Sequence, residues 1–584
     1  MRIISFAVNN FRGLSGGLEQ NKIEFQDSNT IFILGQNNVG KSSFLKAYEY
    51  FYKNTSLLID DLYRQDIENK IEFELSLMLD DFDFEKDAIK KKAEGLKLWL
   101  NEKKILKIKK TISFKKSGAK YIPEKPINYT WDYNTSDWIE KNYGGIGLDS
   151  VFQNALPTPI FIKAMPSEEE IEKVINEILS AKANVNLKDK ERQELKEAQE
   201  KIKELQDKLY NPVSIEAYKQ EVNSHFQELF PETKIELTEK DKVKWTENAL
   251  GKKFSIEFEH NNSKGDRDES IPGTYDKVGH GTVRSAIFSL LLMKDIAEEF
   301  ERVENRKDYI VLFEEPELFL HPKLMKQLRS LIYKVSESTS PYQILCASHS
   351  PQMIDITKEK SSLVRMVKLD SGSRLFQIND RFLKESKEIS TKQELKQEMN
   401  ELLRFNPFIC ESFYSDEVIL IEGPTEEIIL RGYLTENEIN KDIFIVNCGT
   451  VNNIPFYQKI FSKFFIKYHV ICDSDSAVNK GTDTHNLPIF ESGIQKSIYE
   501  QFKLDKTKEG YESGLLNIHY TTFEPAHQDV SISDDLKLPD TYLESDGKPY
   551  NANRYWKEVL SVNLDNPNID SVPIIRFMKE IVLN

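Results

Sequence analysis

The stretch Gly35-Gln36-Asn37-Asn38-Val39-Gly40-Lys41-Ser42 constrains this chain more than any other. It fits GxxxxGK[ST], follows the apolar run TIFIL and precedes the helical SFLKAYEYF. That is the strand–loop–helix context the pattern requires. The glycines let backbone N–H groups wrap phosphates without Cβ interference, and the helix start adds its positive end. Lys41 is expected to reach the β- and γ-phosphates of ATP, and Ser42 to hold Mg²⁺. Gly35, Asn38, Gly40 and Ser43 complete the expected nucleotide-binding set.

A partner for this loop lies far downstream. Tyr309-Ile310-Val311-Leu312-Phe313 reads as a buried strand that runs directly into Glu314-Glu315-Pro316-Glu317. Carboxylates there can bind Mg²⁺ through water and orient an attacking water, with Glu314 beside the metal and Glu315 polarising the water. The plainer reading is an acidic turn. After the strand-like YQILCAS, His349 in SHSP is placed to sense a γ-phosphate, or is a satisfied strand-end histidine. Gly279-His280-Gly281-Thr282-Val283-Arg284, ahead of SAIFSLLLM, offers glycine N–H groups and a guanidinium to an anion, or is a simple loop.

A phosphate loop and an acidic strand split by a helical insertion resemble the ABC-type ATPase heads of the SMC and Rad50 class. The resemblance implies ATP sandwiched between two protomers, although the glycine-rich segment departs from LSGGQ. It also makes Gln65 the candidate Q-loop glutamine.

The insertion shows a capping box, Ser167-Glu168-Glu169-Glu170. Beyond it Leu195, Ala198, Ile202, Leu205 and Leu209 are spaced as an a/d seam that Pro212 is expected to end. This seam suits a dimer contact or packing within one chain. The net charge of −16 excludes a chain coated throughout for nucleic acid. The charge is uneven, however. Residues 86–125 hold fourteen lysines against four acids, a balance of +10 that leaves −26 on the rest. The segment 103–135 reads as a lysine-rich hairpin, solvated or in contact with phosphates. Four scattered cysteines, Cys346, Cys410, Cys448 and Cys472, read as reduced core residues. No run of 18 apolar residues occurs, so no membrane span is expected. The expected compartment is the cytoplasm.

A second acidic constellation closes the chain. The runs EVILI (417–421), IFIVN (443–447) and HVICD (469–473) alternate with helical stretches, which implies a parallel α/β sheet. Glu422 follows the first run and Glu426 lies one helical turn on. Asp473 and Asp475 end the third, and Glu524 follows LLNIHYTT. Ligand sites collect at strand C-termini in such sheets. Five carboxylates gathered there would repel one another unless cations intervened, and hard oxygens select Mg²⁺ or Mn²⁺. Each acid alone is also explained by a strand-end turn.

The pairing of EGPTE with DSD resembles a Toprim domain, and Cys448-Gly449-Thr450 fits its glycine turn. GQNNVGKS, FEEPE, SHSP, IEGPTEE and CDSDS occur together in one order. By that order the chain resembles the OLD (overcoming lysogenisation defect) nuclease family. The expected fold is α/β: an ABC/SMC-like ATPase head with a helical dimerisation insertion, followed by a C-terminal Toprim (Rossmann-like) domain. The expected divisions are 1–160 and 246–375 for the ATPase, 161–245 for the insertion, 376–414 for a helical connector and 415–584 for the Toprim domain. The resemblance implies DNA cleavage at a two-metal site, with Glu422, Glu426, Asp473, Asp475 and Glu524 as ligands. Glu422 is also a proton-transfer candidate, Lys548 assists, and Asp529 is a further acid without a role. It implies a homodimer or tetramer through the ATPase and insertion, and defence against phage. Some relatives work with a helicase-like protein, as in Gabija systems, or beside a retron reverse transcriptase with its RNA and DNA. The competing class is an SMC/Rad50-like DNA clamp without nuclease activity.

Overall fold

The computed structural model describes residues 1–140, 156–164, 212–229, 233–239, 254–260, 282–283, 285–286, 308–337, 342–355, 361–378 and 407–583, apart from scattered single residues and stretches of two or three. The capping box at 167–170, the seam at 195–209 and the stretch 379–406 lie outside the described residues. So do Gly279, His280, Gly281 and Arg284. The chain divides into two compact units, Met1–Leu375 and Phe376–Asn584.

Period-two alternation of apolar and polar residues builds the first sheet of the first unit. Its strands are β1 (Arg2–Asn9), β2 (Lys22–Glu24), β4 (Ile71–Met78), β5 (Ile105–Ile112), β8 (Ile127–Asp132) and β9 (Asp137–Glu140), in the order β2-β1-β4-β5-β8-β9. Every pairing is antiparallel. The lysine-rich segment is therefore not a free hairpin. Most of it joins this sheet, and only β6 (Phe114–Ser117) and β7 (Lys120–Pro123) form a two-stranded tip.

Strands that are apolar along nearly their whole length form the centre of the second sheet, as parallel strands buried on both faces must. The sheet comprises β3 (Thr30–Leu34), β10 (Thr158–Ile162), β13 (Tyr309–Glu314), β14 (Tyr342–Ala347), β15 (Ser361–Leu369) and β16 (Gly372–Ile378), ordered β10-β13-β14-β3-β15-β16. From β10 to β15 the strands run parallel, so their C-termini share one edge. The helix Lys41–Lys53 packs its rings on the antiparallel sheet. Phe44 and Tyr48 meet Phe6 edge-on at 5.6 and 5.3 Å, and Phe51 meets Phe73 at 6.2 Å. Each such pair adds roughly 0.5–1.5 kcal/mol beyond the area it buries. A further antiparallel pair, β11 (Thr233–Glu239) and β12 (Phe254–His260), stands apart. Pro212 opens a helix, Pro212–Leu229, where its missing N–H costs nothing.

The second unit holds the parallel strands β17 (Glu417–Ile421), β18 (Ile443–Asn447), β19 (Lys467–Asp473) and β22 (Leu516–His519), ordered β18-β17-β19-β22. A small hairpin, β20 (Asn479–Thr482) and β21 (Pro488–Phe490), follows β19. The strand order reverses between β17 and β19, which opens a crevice beyond their C-terminal ends. All four cysteines are buried and free. Among the described residues no helix is long and apolar enough to cross a membrane.

At the opposite, N-terminal edge of this sheet Glu417 gathers three partners. Lys441 Nζ lies at 3.1 Å, Lys467 Nζ at 3.3 Å and His469 Nε2 at 3.3 Å. The Leu515 N–H donates to His469 Nδ1 at 3.1 Å, so the ring carries its proton on Nε2 and donates it to Glu417. Burial pushes the Glu417 carboxyl up, but hydrogen bonds from His469 and Lys441 and the charge of Lys467 hold it down at about 2. Glu417→Gln should therefore lower stability by about 2–3 kcal/mol at pH 7, read as an earlier urea midpoint. Because the folded carboxyl is depressed, its contribution is full above the ordinary value of 4.5 and fades as the pH falls toward 2. Wild type and variant should converge there.

Candidate functional site

Two sites sit at the C-terminal edges of the two parallel sheets. In the first, β3 ends at Gly35, whose φ of +143° only glycine adopts freely. A Cβ there would lie 2.4 Å from the Met366 carbonyl of β15, so the loop can start only on a glycine. Asn38 and Gly40 also take positive φ, 63° and 107°. Lys41 is buried, and its Nζ donates to the carbonyls of Gly35 and Gln36 at 2.8 Å each and lies 3.4 Å from His349 Nδ1. Burial lowers the Lys41 ammonium to about 8 against the pull of Glu315 and Glu317. Ser42 and Ser43 are half-buried in the first turn of the helix.

The acidic motif meets this loop through neighbouring strands. The Glu315 N–H donates to the Ala347 carbonyl at 2.8 Å, and the Ser348 N–H to Ile33 at 3.0 Å. The Glu315 carboxylate lies 3.6 Å from His349 Nε2. Burial and the neighbouring Lys41 push His349 down to about 4, so it is neutral at pH 7. Glu314 accepts a hydrogen bond from the Ala164 N–H at 3.4 Å. The third acid, Glu317, had no expected role, yet it accepts the His349 N–H at 2.6 Å and fixes the histidine's backbone. Gln65 ends a short turn at φ 53°, exposed, with its amide donating to Asp60 at 2.9 Å. Among the described residues no hydrogen bond joins it to the phosphate loop.

The second site answers why a buried strand should end in IEGPTEE. After β17 the chain leaves Glu422 at the strand end, turns at Gly423 and starts the helix Pro424–Glu436 with proline in its first turn. Glu426 is buried in that first turn. Glu427 turns away to Arg431 and Asn447, each at 2.9 Å, and is structural.

Across the crevice, β19 ends at Asp473. Glu426, Asp473 and His519 each bring a ligand atom within 4.8 Å of the others. Asp475, exposed at φ 49°, adds its charge to those of Asp473 and Glu422. Glu524 lies in the helix Phe523–His527, accepts from Thr522 Oγ1 at 3.2 Å and adds its charge to that of Asp473. Lys548 opens the helix Lys548–Arg554, and its exposed ammonium lies 3.7 Å from Glu524. All six expected residues therefore act on one locality. Asp529 does not join them: it is exposed and bonded to Ser531 at 2.6 Å.

The electrostatics record the crowding. Burial and the charges of Asp473 and Glu422 raise the Glu426 carboxyl to about 7, although its own backbone N–H pulls it down. Burial, Asp475 and Glu524 raise Asp473 to about 6, and burial and Asp473 raise Glu422. Among the described residues Glu422 Oε2 and His519 Nε2 are shut off from solvent without a hydrogen-bond partner. His519, a residue the sequence did not single out, pairs in register with Asp473 and places Nδ1 3.3 Å from Oδ1. A chemically hard oxygen set with one buried imidazole and an orphaned carboxylate oxygen fits a divalent cation.

A family described as AAA ATPase domain matches residues 1–354, and the overcoming lysogenization defect protein-like TOPRIM domain matches residues 413–475. The chain belongs to the AAA ATPase domain family, and joined to that domain it carries a TOPRIM domain of the overcoming lysogenization defect type. It is similar to the Old nuclease of Escherichia phage P2, 26% identical over 529 residues, covering 87% of this chain and 83% of that protein. It is also similar to endonuclease GajA of Bacillus cereus (strain VD045), 23% identical over 511 residues, covering 82% and 76%. An SMC head bound to the C-winged helix domain of ScpA aligns with a TM-score of 0.40 and 14% identity, covering 67% of this chain and 100% of that one.

The raised carboxyls make a prediction with a definite sign. With folded values near 7 for Glu426 and 6 for Asp473, the native state holds more protons than the unfolded chain above their ordinary values of 4.5 and 3.8. Metal-free protein should therefore lose stability as the pH rises through 6 to 7. Glu426→Gln should stabilise EDTA-treated protein at pH 8 by about 1–3 kcal/mol and cancel most of the Mn²⁺-induced rise in thermal midpoint. A variant less stable than wild type in EDTA at pH 8 would contradict this.

Proposed function

We propose that this chain is a divalent-metal-dependent DNA endonuclease, gated by ATP binding in its ATPase unit and acting in bacterial defence against phage. The observation that carries the reading is the meeting of Glu422, Glu426, Asp473, Asp475 and Glu524 beside the crevice between β17 and β19, with Lys548 next to them. The names of the relatives, a nuclease and an endonuclease, support it.

In this reading Glu422, Glu426, Asp473, Asp475 and Glu524 would hold Mg²⁺ or Mn²⁺, and Glu422 would also take part in proton transfer. A pair of such ions supplies Lewis-acid polarisation of a phosphodiester and a water activated near neutral pH. Lys548, exposed at the rim, would offset negative charge that develops on the phosphate oxygens. His519 donates to Asp473 and fixes the angle of that carboxylate. In the ATPase unit Lys41, Ser42 and the N–H groups of residues 35–43 bind nucleotide and Mg²⁺, Glu315 orients water, and neutral His349 reads the γ-phosphate. Two or four copies assemble through the ATPase unit and the insertion at 161–245.

Glu422→Ala should abolish nicking and linearisation of plasmid in Mn²⁺ while leaving ATP turnover intact, and Lys41→Ala should remove ATP turnover. Normal cutting by Glu422→Ala would defeat the assignment. Bridging of DNA without strand breaks by the wild type would favour a clamp instead. His519→Leu should weaken Mn²⁺ binding about 10–100-fold by calorimetry.

A further inference from the structure

Of the fourteen lysines between 86 and 125, the structure accounts for several as ordinary partners. Lys90, Lys97 and Lys104 pair with Glu85, Glu94 and Asp81. Lys110 is buried and donates to the Phe51 carbonyl at 2.7 Å, satisfying a last-turn carbonyl of the helix Lys41–Lys53. Lys107 and Lys109 are different. They alternate with buried Leu106, Ile108 and Lys110 along β5, so both ammonium stems stand on the outer face of the antiparallel sheet.

Aromatic rings support them there. Lys107 Nζ lies 5.5 Å from the centre of the Trp131 ring, and Lys109 Nζ lies 5.2 Å from Tyr129 and 4.7 Å from Trp138. Trp131 and Trp138 pair in register on β8 and β9 and meet edge-on at 5.3 Å. Neither lysine forms an ion pair with a described carboxylate. The acid across the strand from Lys109 is Glu74, whose carboxyl burial pushes up against the pull of Lys22, Lys107 and Lys109. The ribbon continues past Ser113, whose carbonyl accepts the Glu124 N–H, into the β6–β7 tip, where Lys116 and Lys120 are exposed.

We propose that this lysine-and-aromatic face, β5, β8, β9 and the β6–β7 tip, is a docking surface for the phosphate backbone of DNA. The segment 86–125 is the basic exception in an acidic chain, +10 against −26 elsewhere, and of its lysines Lys107, Lys109, Lys116 and Lys120 lie in this ribbon without an ion pair to a described carboxylate. A merely solvated lysine face needs no rings beneath Lys107 and Lys109. Half-buried rings beneath these two ammonium groups favour one placement of each and so preorganise them for a polyanion, and rings also offer stacking faces to unpaired bases. The inference rests on the nuclease reading for its choice of DNA over other polyanions.

The test uses the full chain with Ca²⁺ in place of the supporting cation, to hold DNA uncut, and fluorescent duplex and single-stranded oligonucleotides. Lys107→Gln/Lys109→Gln should lower affinity about 10–30-fold at 0.15 M salt. It should also flatten the log–log salt slope by about 1.4–1.8, as loss of two phosphate contacts requires. Lys116→Gln/Lys120→Gln, at exposed positions that leave the sheet undisturbed, should act the same way. An added preference for single strands that Trp138→Leu removes assigns base stacking; equal effects on both DNAs assign backbone contact alone. Either result supports the surface. Wild-type affinity and slope in both double variants, with the wild type still cutting plasmid, overturn the surface and leave the nuclease reading standing. Lysine-dependent binding by a wild type that never cuts does the reverse.

Discussion

Like charges held close in a poorly hydrated crevice repel, and the second unit is organised around tolerating that repulsion. Parallel strands carry their C-termini to one edge, so any acid that follows such a strand is delivered to the same place. Glu422 and Asp473 arrive on adjacent strands, and Glu426 follows one helical turn after Glu422. At an effective dielectric of about 20, two charges 4 Å apart cost about 4 kcal/mol. Carboxyls raised to about 7 and 6 are the visible consequence. Domains are stable by only about 5–15 kcal/mol, so such a cluster persists as a chelator or as a set of partly protonated acids.

The surroundings favour the chelator. An unneeded acidic cluster would be relieved by lysines folded into it, whereas Lys548 stays exposed at the rim, 3.7 Å from Glu524. Positive charge is spent instead at the other end of the sheet, where Lys441 and Lys467 both serve Glu417. The two ends of β17 thus carry the same residue type in opposite states, one glutamate held at about 2 by three donors and the other raised among its own kind.

Much of this was legible in the chain. EVILI and IFIVN are β17 and β18 to the residue, because each apolar run stops against a polar, glycine-bearing turn, Glu422-Gly423 after the first and Asn447-Cys448-Gly449 at the end of the second. HVICD fell two residues short of β19, since Lys467 looks like a loop residue until its buried partner Glu417 is known. His519 was hidden for a related reason. Its partner Asp473 is 46 residues away, and the β19–β22 register that joins them is a three-dimensional fact. The lysine-rich segment misled through its polarity. Half of its alternating residues face a core, and one of its lysines closes a helix end. Strand order, which locates the crevice between β17 and β19, follows from no local pattern.

The two units apply one architectural rule to opposite charges. In both, a buried parallel strand ends, the chain turns through glycine, and a helix begins with its positive end toward the strand edge. After β3 the turn is made of N–H groups and a lysine, with Gly35 pressed so close to Met366 that no side chain fits, and the edge becomes an anion site. After β17 the first residue out is Glu422, ahead of the glycine, and the third helical residue is Glu426. The same helix start then steadies carboxylates, its N–H pulling Glu426 down against its neighbours' push, and the edge becomes a cation site. The sign of each site is thus set by which residue leaves the strand first.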